Sequence, residues 1–91
     1  MIATNRYIIH VIGDESMTVT LNREKLRATR KERALTQEKL AEYSAISDRY
    51  VRSLETGAAE PSASVLYRLS QTLEVPMDDL MTVTAEENDM Q

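Results

Sequence analysis

Residues 36–57 decide the fold of this chain, and they read TQEKLAEYSAISDRYVRSLETG. The pattern predicts two short helices joined by a tight turn. Thr36 is a typical N-cap, because its hydroxyl accepts a hydrogen bond from a free N–H in the first turn of a helix. Ser47 is placed in the same way before a second helix, which is predicted to run from about residue 48 to residue 55. Gly57 is typical of a helix C-terminus.

The second predicted helix separates apolar from polar side chains. Val51 and Leu54 share a face at i, i+3 spacing, and Tyr50 lies beside them. The opposite face is polar and consists of Asp48, Arg49, Arg52 and Ser53. One side of this helix is therefore predicted to be buried and the other to be free, which is typical of a helix-turn-helix motif.

The motif and its flanks resemble the phage-repressor (Cro/repressor, XRE-type) family. The similar elements are Thr-Gln-Glu-x-Leu-Ala, then Ile-Ser, then Val-x-x-Leu-Glu-x-Gly, all in order within residues 36–57. The resemblance covers about residues 22–81, or two thirds of the chain. It implies a mainly α fold with a five-helix, repressor-like helix-turn-helix domain at 22–81, in which the last helix follows Pro76 over about residues 77–81. It also implies a sequence-specific DNA-binding transcription regulator, usually a repressor.

The ends of the chain lie outside this resemblance. Residues 7–12 are apolar and β-branched, 13–16 form a turn cluster, and 17–21 alternate apolar with polar, so residues 1–21 are predicted to form a β-hairpin. An isolated hairpin is marginally stable. We expect it either to pack on its own domain or, as the favoured alternative, to pair with a second chain in a homodimer. Residues 82–91 are acidic and are predicted to be a disordered tail.

Composition limits the classes of protein that this chain can belong to. Its 91 residues suit one small domain, and the absence of cysteine excludes disulfides and thiolate metal sites. No apolar run reaches membrane-spanning length, so we predict a cytoplasmic protein without a membrane partner. The net charge is −4, but residues 22–57 carry nine basic and six acidic side chains. This asymmetry can orient the motif toward phosphate, although an ordinary solvated surface would look similar.

The resemblance and the chemistry of base edges together indicate the DNA-contacting residues. The N-terminal part of the second helix would enter the major groove, where arginine donates two hydrogen bonds to guanine. The candidates for base contacts are Ser47, Asp48, Arg49, Arg52 and Ser53. By resemblance, Gln37 contacts a backbone phosphate from a helix N-terminus. The further candidates for phosphate contacts are Thr36, Lys39, Arg33 and Thr56.

Three further features emerge from comparison with the family pattern. Arg30 and Glu55 stand where the family often has an ion pair, and we interpret that pair as structural rather than DNA-binding. The turn carries Ala45 where the family usually has glycine, so a left-handed conformation there would cost on the order of 1 kcal/mol. After Gly57 the family is often basic, whereas residues 58–60 here offer no cation and one anion.

Other functions were weighed against DNA binding. An antitoxin-like protein would bind a toxin or another protein through the hairpin or the tail, and an acidic pair on the first motif helix could contact RNA polymerase. An enzyme is not predicted, because the sequence has no catalytic triad and no glycine-rich phosphate loop. His10 is the only histidine and is interpreted as an ordinary strand residue, so we predict no metal and no cofactor.

Overall fold

The computed structural model describes residues 18–84, which form four α-helices, one 3-10 helix and a two-stranded sheet. The helices are α1 (Arg23–Glu32), α2 (Gln37–Ser44), α3 (Asp48–Thr56) and α4 (Ala63–Leu73). The 3-10 helix is Met77–Leu80, and the strands are β1 (Thr18–Leu21) and β2 (Met81–Thr84). No helix within the described residues is long and apolar enough to cross a membrane.

Each α-helix begins at a polar side chain that caps it. The side chain of the cap accepts a hydrogen bond from the backbone N–H three residues further on, at 3.0–3.2 Å. The four caps are Asn22, Thr36, Ser47 and Ser62. These residues fix the helix starts locally, because each satisfies a donor that the helix itself leaves unpaired.

The core joins the apolar side of all four helices. Leu26 of α1, Leu40 of α2 and Leu54 of α3 are completely buried. The other buried apolar residues are Leu21, Ala41, Val51, Val65, Leu66, Leu69, Leu73 and Leu80. Because the core takes one face from α2 and one from α3, the two motif helices are held rigidly while the outer face of α3 stays free.

The sheet brings the two ends of the described chain together. β1 pairs antiparallel with β2, with Leu21 opposite Met81 and Val19 opposite Val83. Leu21 is buried in the helical core, and its N–H donates to Glu60 Oε1 at 3.0 Å. Of the strand predicted over 17–21, residues 18–21 are present as β1 and pack on their own domain. The strand predicted over 7–12 lies outside the described residues.

Two predictions at the C-terminal end are corrected. The fifth helix, expected over 77–81, is a short 3-10 helix that ends at Leu80, so the domain has four α-helices rather than five. The acidic tail was expected from residue 82, but residues 82–84 lie in β2 because β1 offers them hydrogen-bonding partners. Residues 85–91 lie outside the described part of the chain.

The turn between the motif helices has the strained backbone that the sequence predicts. Ala45 adopts φ 60° and ψ 43°, a left-handed conformation that lets its N–H bond to carbonyls in the last turn of α2. Ala34 and Glu74 also have positive φ angles. Alanine has a Cβ that crowds its own carbonyl in this conformation, so the turn at Ala45 stores about 1 kcal/mol of strain.

Candidate nucleic-acid interface

The outer face of α3 carries the polar residues that the sequence singled out for base contacts. Arg49 and Arg52 are exposed, and Asp48 and Ser53 are partly exposed. Arg52 Nη1 lies 3.4 Å from Asp48 Oδ2, and about half of each side chain is open to solvent. Exposed pairs of this kind contribute little to stability. Arg52 can therefore exchange Asp48 for another acceptor at small cost.

The guanidinium of Arg49 has no partner within the described residues. Its side chain is exposed and makes no hydrogen bond or ion pair within residues 18–84. Ser47 is exposed beside it, but its hydroxyl already accepts the N–H of Tyr50 as the cap of α3. The start of α3 thus offers two arginines on a helix whose other side is locked in the core.

A buried network connects α1 to the end of α3. Arg30 Nε lies 2.7 Å from Glu55 Oε2, and Arg30 Nη2 lies 3.2 Å from Glu55 Oε1. Gln37 Nε2 also donates to Glu55 Oε1, at 2.9 Å. Arg30 Nη1 donates to the carbonyl of Leu35 at 2.9 Å. The ion pair inferred from the sequence is therefore present, with the structural geometry expected of it.

The environment of Glu55 keeps it ionised. Burial by itself raises the pKa of the Glu55 carboxyl. Hydrogen bonds from Arg30 and Gln37, and the positive charges of Arg30 and Arg27, outweigh burial and hold that pKa below its usual value. The carboxylate therefore acts as a fixed anion that orients three side chains from two other elements.

Four of the residues predicted to contact phosphate lie on or beside the two motif helices. Gln37 is at the first turn of α2 and bonds to Glu55, and Lys39 on the same helix lies 3.3 Å from Glu42 and remains exposed. Thr36 uses its hydroxyl to cap α2, and the Thr56 hydroxyl donates to the carbonyl of Ser53. Thr36 and Thr56 use their hydroxyls within the motif itself, whereas Gln37 and Lys39 place an amide and an ammonium group in the first turn of α2.

The guanidinium of Arg33 lies at the C-terminal end of α4. Its Nε donates to the carbonyl of Leu73 at 2.7 Å, and its Nη2 lies 3.5 Å from the carbonyl of Glu74. The guanidinium thus caps the C-terminus of α4, where free carbonyls and the helix dipole favour a cation. The phosphate contact proposed for Arg33 stays a prediction beside this capping contact.

Three arginines that the sequence analysis did not single out also lie at helix ends. Arg68 Nη1 donates to the carbonyl of Ala45 at the end of α2, at 3.1 Å. Arg27 Nη2 donates to the carbonyl of Glu55 at 3.0 Å, and the Arg23 side chain lies against Gly57. The i, i+4 spacing of Arg23 and Arg27 on α1 was the available signal. The partner could not be read from that spacing, because α3 supplies it.

The described residues also form a concave surface away from α3. An apolar pocket of about 240 Å³ lies between β1 and the loop before α4, and its lining includes Val19, Pro61, Leu66 and Met77. No group of three or more His, Cys, Asp or Glu residues in the described range could hold a metal ion. The polar face of α3 is therefore the candidate site.

Helix α2, the tight turn at Ala45 and the capped helix α3 with its exposed polar face form a helix-turn-helix motif. The chain belongs to the HTH_3 helix-turn-helix family, whose model matches residues 26–80. This match confirms the family that the sequence predicts.

Individual proteins are similar over the same region. The chain is 42% identical over 57 residues to the uncharacterized HTH-type transcriptional regulator y4dJ of Sinorhizobium fredii, covering 63% of this chain and 74% of that protein. The restriction-modification controller protein C.AhdI from Aeromonas hydrophila has a TM-score of 0.61 at 28% identity, covering 63% of this chain and 86% of the controller. The P22 c2 repressor, solved in complex with a synthetic operator, has a TM-score of 0.61 at 29% identity, covering 64% and 88%.

Proposed function

We propose that this chain is a transcription regulator that binds double-stranded DNA in a sequence-specific way, as a homodimer on a roughly palindromic operator, and acts chiefly as a repressor. The exposed, basic start of α3 carries the proposal, since Arg49 and Arg52 stand on a helix fixed by its buried face. Membership of the helix-turn-helix family and the likeness to the P22 repressor and to a controller protein support it. The same relatives are regulators and not enzymes.

In this proposal, α3 enters the major groove with its first residues foremost. Arg49 and Arg52 donate to guanine O6 and N7, and Ser47, Asp48 and Ser53 make shorter contacts with neighbouring bases. Gln37 and Lys39 at the start of α2 contact backbone phosphates, which set the register of the helix. Arg30 and Glu55 touch no base and keep α3 at a fixed angle.

The symmetry of the bound DNA site tests the proposed homodimer. The full chain would be used to select duplexes from a random pool, and the selected operator would be footprinted. We expect two inverted half-sites whose centres lie about one helical turn, or 10–10.5 base pairs, apart. Light scattering should give two chains per duplex. A single protected half-site with one chain bound would contradict the homodimer and leave specific binding intact.

An antitoxin-like protein that also binds a toxin is the alternative. The described feature that favours it is the cross-strand pair of Val19 and Val83, both more than half exposed on the sheet. Purification of the chain from its source cells discriminates the two functions. A second protein that stays bound in stoichiometric amount and is needed for operator binding would favour the alternative.

A further inference from the structure

We propose that Arg23 is a phosphate-contacting residue of the DNA interface, which supplies from α1 the cation that the segment after α3 lacks. The proposal rests on the proposed function, because it names an additional contact of the same interface. Neither the motif nor the polar face of α3 contains this residue.

The sequence after α3 carries no positive charge of its own. Residues 58–60 are Ala-Ala-Glu, and the next basic residue is Arg68, which is engaged at the end of α2. The last turn of α3 is the negative end of the helix dipole, and Glu60 adds a carboxylate. Only the arginines of α1, Arg27 at the carbonyl of Glu55 and Arg23 beside Gly57, bring positive charge to this end of α3, and without them it would repel a DNA phosphate.

Arg23 lies across this end of α3. Its Cζ and Nε atoms are 3.1 Å from the position that a Cβ on Gly57 would occupy. Gly57 has φ +89°, so glycine both permits the left-handed backbone and leaves room for the guanidinium. Arg23 thus holds its charge beside the first residues of the segment that has none.

Arg23 is partly exposed, and its guanidinium has donors without a partner in the described part of the chain. Within residues 18–84 it forms no hydrogen bond and no ion pair, in contrast to the two next arginines on the same face of α1. Arg27 donates to the carbonyl of Glu55, and Arg30 holds the Glu55 carboxylate. Because Arg30, Arg27 and Gln37 satisfy Glu55, that carboxylate does not compete for Arg23.

The length of α3 brings this guanidinium to the DNA backbone. Nine residues at 1.5 Å rise give a helix of about 13 Å. The major groove is about 12 Å wide. A helix whose first residues reach base edges therefore has its last turn near the phosphates that border the groove. Arg23 beside Gly57 is placed to donate to one of them, with the planar fork that suits phosphate oxygens.

Salt dependence tests the contact, since each neutralised phosphate adds about 0.9 to the slope of log binding constant against log salt concentration. Binding of the full chain to the selected operator and to a scrambled duplex would be measured by fluorescence anisotropy from 50 to 200 mM salt. The variants are Arg23→Gln, the charge-conserving Arg23→Lys, and Lys25→Gln. Lys25 is exposed on the same helix, about 200° around the axis from Arg23, so it controls for lost charge alone.

We expect Arg23→Gln to lower the slope by about 0.9 per bound chain, which makes the fall in affinity over this salt range about 3.5-fold smaller per chain. Affinity for both duplexes should drop by a similar factor, so that the preference for operator is kept. Arg23→Lys should keep the slope, and Lys25→Gln should leave it near the wild-type value.

Two outcomes would overturn the contact. An unchanged slope in Arg23→Gln, with a lowered melting temperature, would assign Arg23 to capping α3 only. Equal changes in Arg23→Gln and Lys25→Gln would assign it to the general field of the domain. Failure of the wild-type chain to prefer the operator at all would instead count against the proposed function, so the two failures are distinguishable.

Discussion

Arg30 of α1 and Glu55 of α3 form a buried, two-pronged ion pair, with 2.7 Å between Nε and Oε2 and 3.2 Å between Nη2 and Oε1. Glu55 is 3% exposed, so the pair is largely removed from water. It fixes the end of α3 against the first helix of the bundle. The angle at which α3 is presented therefore depends on a residue pair outside the motif's polar face.

Breaking one half of this pair should cost more than removing both halves. Arg30→Met leaves the Glu55 carboxylate buried without its main partner, and we expect a loss of about 3–5 kcal/mol in the free energy of unfolding. The double variant Arg30→Met with Glu55→Met replaces both charges by apolar groups and should be less destabilised than Arg30→Met alone. Urea unfolding measures the single variants Arg30→Met and Glu55→Met and the double variant. Simple additivity of the two single substitutions would contradict the coupling.

The lowered pKa of Glu55 predicts how stability changes with pH. The folded chain holds this proton less tightly than the unfolded chain, so Glu55 contributes stability above its usual value of 4.5 and loses it as pH falls through the lower folded pKa. The difference in unfolding free energy between wild type and Glu55→Gln should be constant from pH 7 to about pH 5 and shrink in more acidic solution. A difference that grows on acidification would reverse the assigned direction.

The strained turn predicts a stabilising substitution. Ala45→Gly removes about 1 kcal/mol of steric cost but adds freedom to the unfolded chain worth about 0.4–1 kcal/mol, so the net gain should be at most about 0.6 kcal/mol. Ala28→Gly is the matched control, because Ala28 is exposed inside α1 and the same change there should cost about 1 kcal/mol. Thermal unfolding of both variants gives the sign of each change in stability. Destabilisation by both would mean that strain at Ala45 is negligible.

The position of Arg33 predicts an effect on stability without an effect on DNA binding. Arg33→Gln removes the hydrogen bond to the carbonyl of Leu73, which should lower the free energy of unfolding by about 1–2 kcal/mol. The slope of operator affinity against salt should stay at the wild-type value. If Arg33→Gln lowers the slope of log binding constant against log salt concentration by about 0.9 per chain, Arg33 contacts a phosphate, as the sequence suggested.

The features predicted correctly from sequence are those that a few neighbouring residues determine. Thr36 and Ser47 fix helix starts through bonds only three residues long. The left-handed turn at Ala45 was expected from the family resemblance, because the family usually has glycine there. The pair of Arg30 and Glu55, 25 residues apart, came from the family resemblance rather than from local pattern.

The features that the sequence did not predict depend on distant partners. Thr84 belongs to a strand because Thr18, at the other end of the described chain, pairs with it. Arg33 looks like a surface cation until α4 places the carbonyl of Leu73 beside it. The position of Arg23 beside Gly57 likewise depends on how α1 packs against the end of α3. Charge and propensity along the chain carry no information on such contacts.

The central claim is that Arg49 and Arg52 read DNA sequence, and anisotropy measurements at fixed salt test it most directly. Wild type would be compared with Arg49→Ala/Arg52→Ala, and with Lys25→Ala/Lys31→Ala as a control that loses the same charge from exposed sites on α1. The measured quantity is the ratio of affinities for the selected operator and a scrambled duplex.

We predict a ratio on the order of a thousandfold for wild type and for the lysine control. In the arginine variant the ratio should fall at least about tenfold, since each guanine contact discriminates by about 1–3 kcal/mol. If the arginine variant keeps the wild-type ratio and loses only overall affinity, these arginines contact the backbone, and the assignment of sequence reading to α3 through them is wrong.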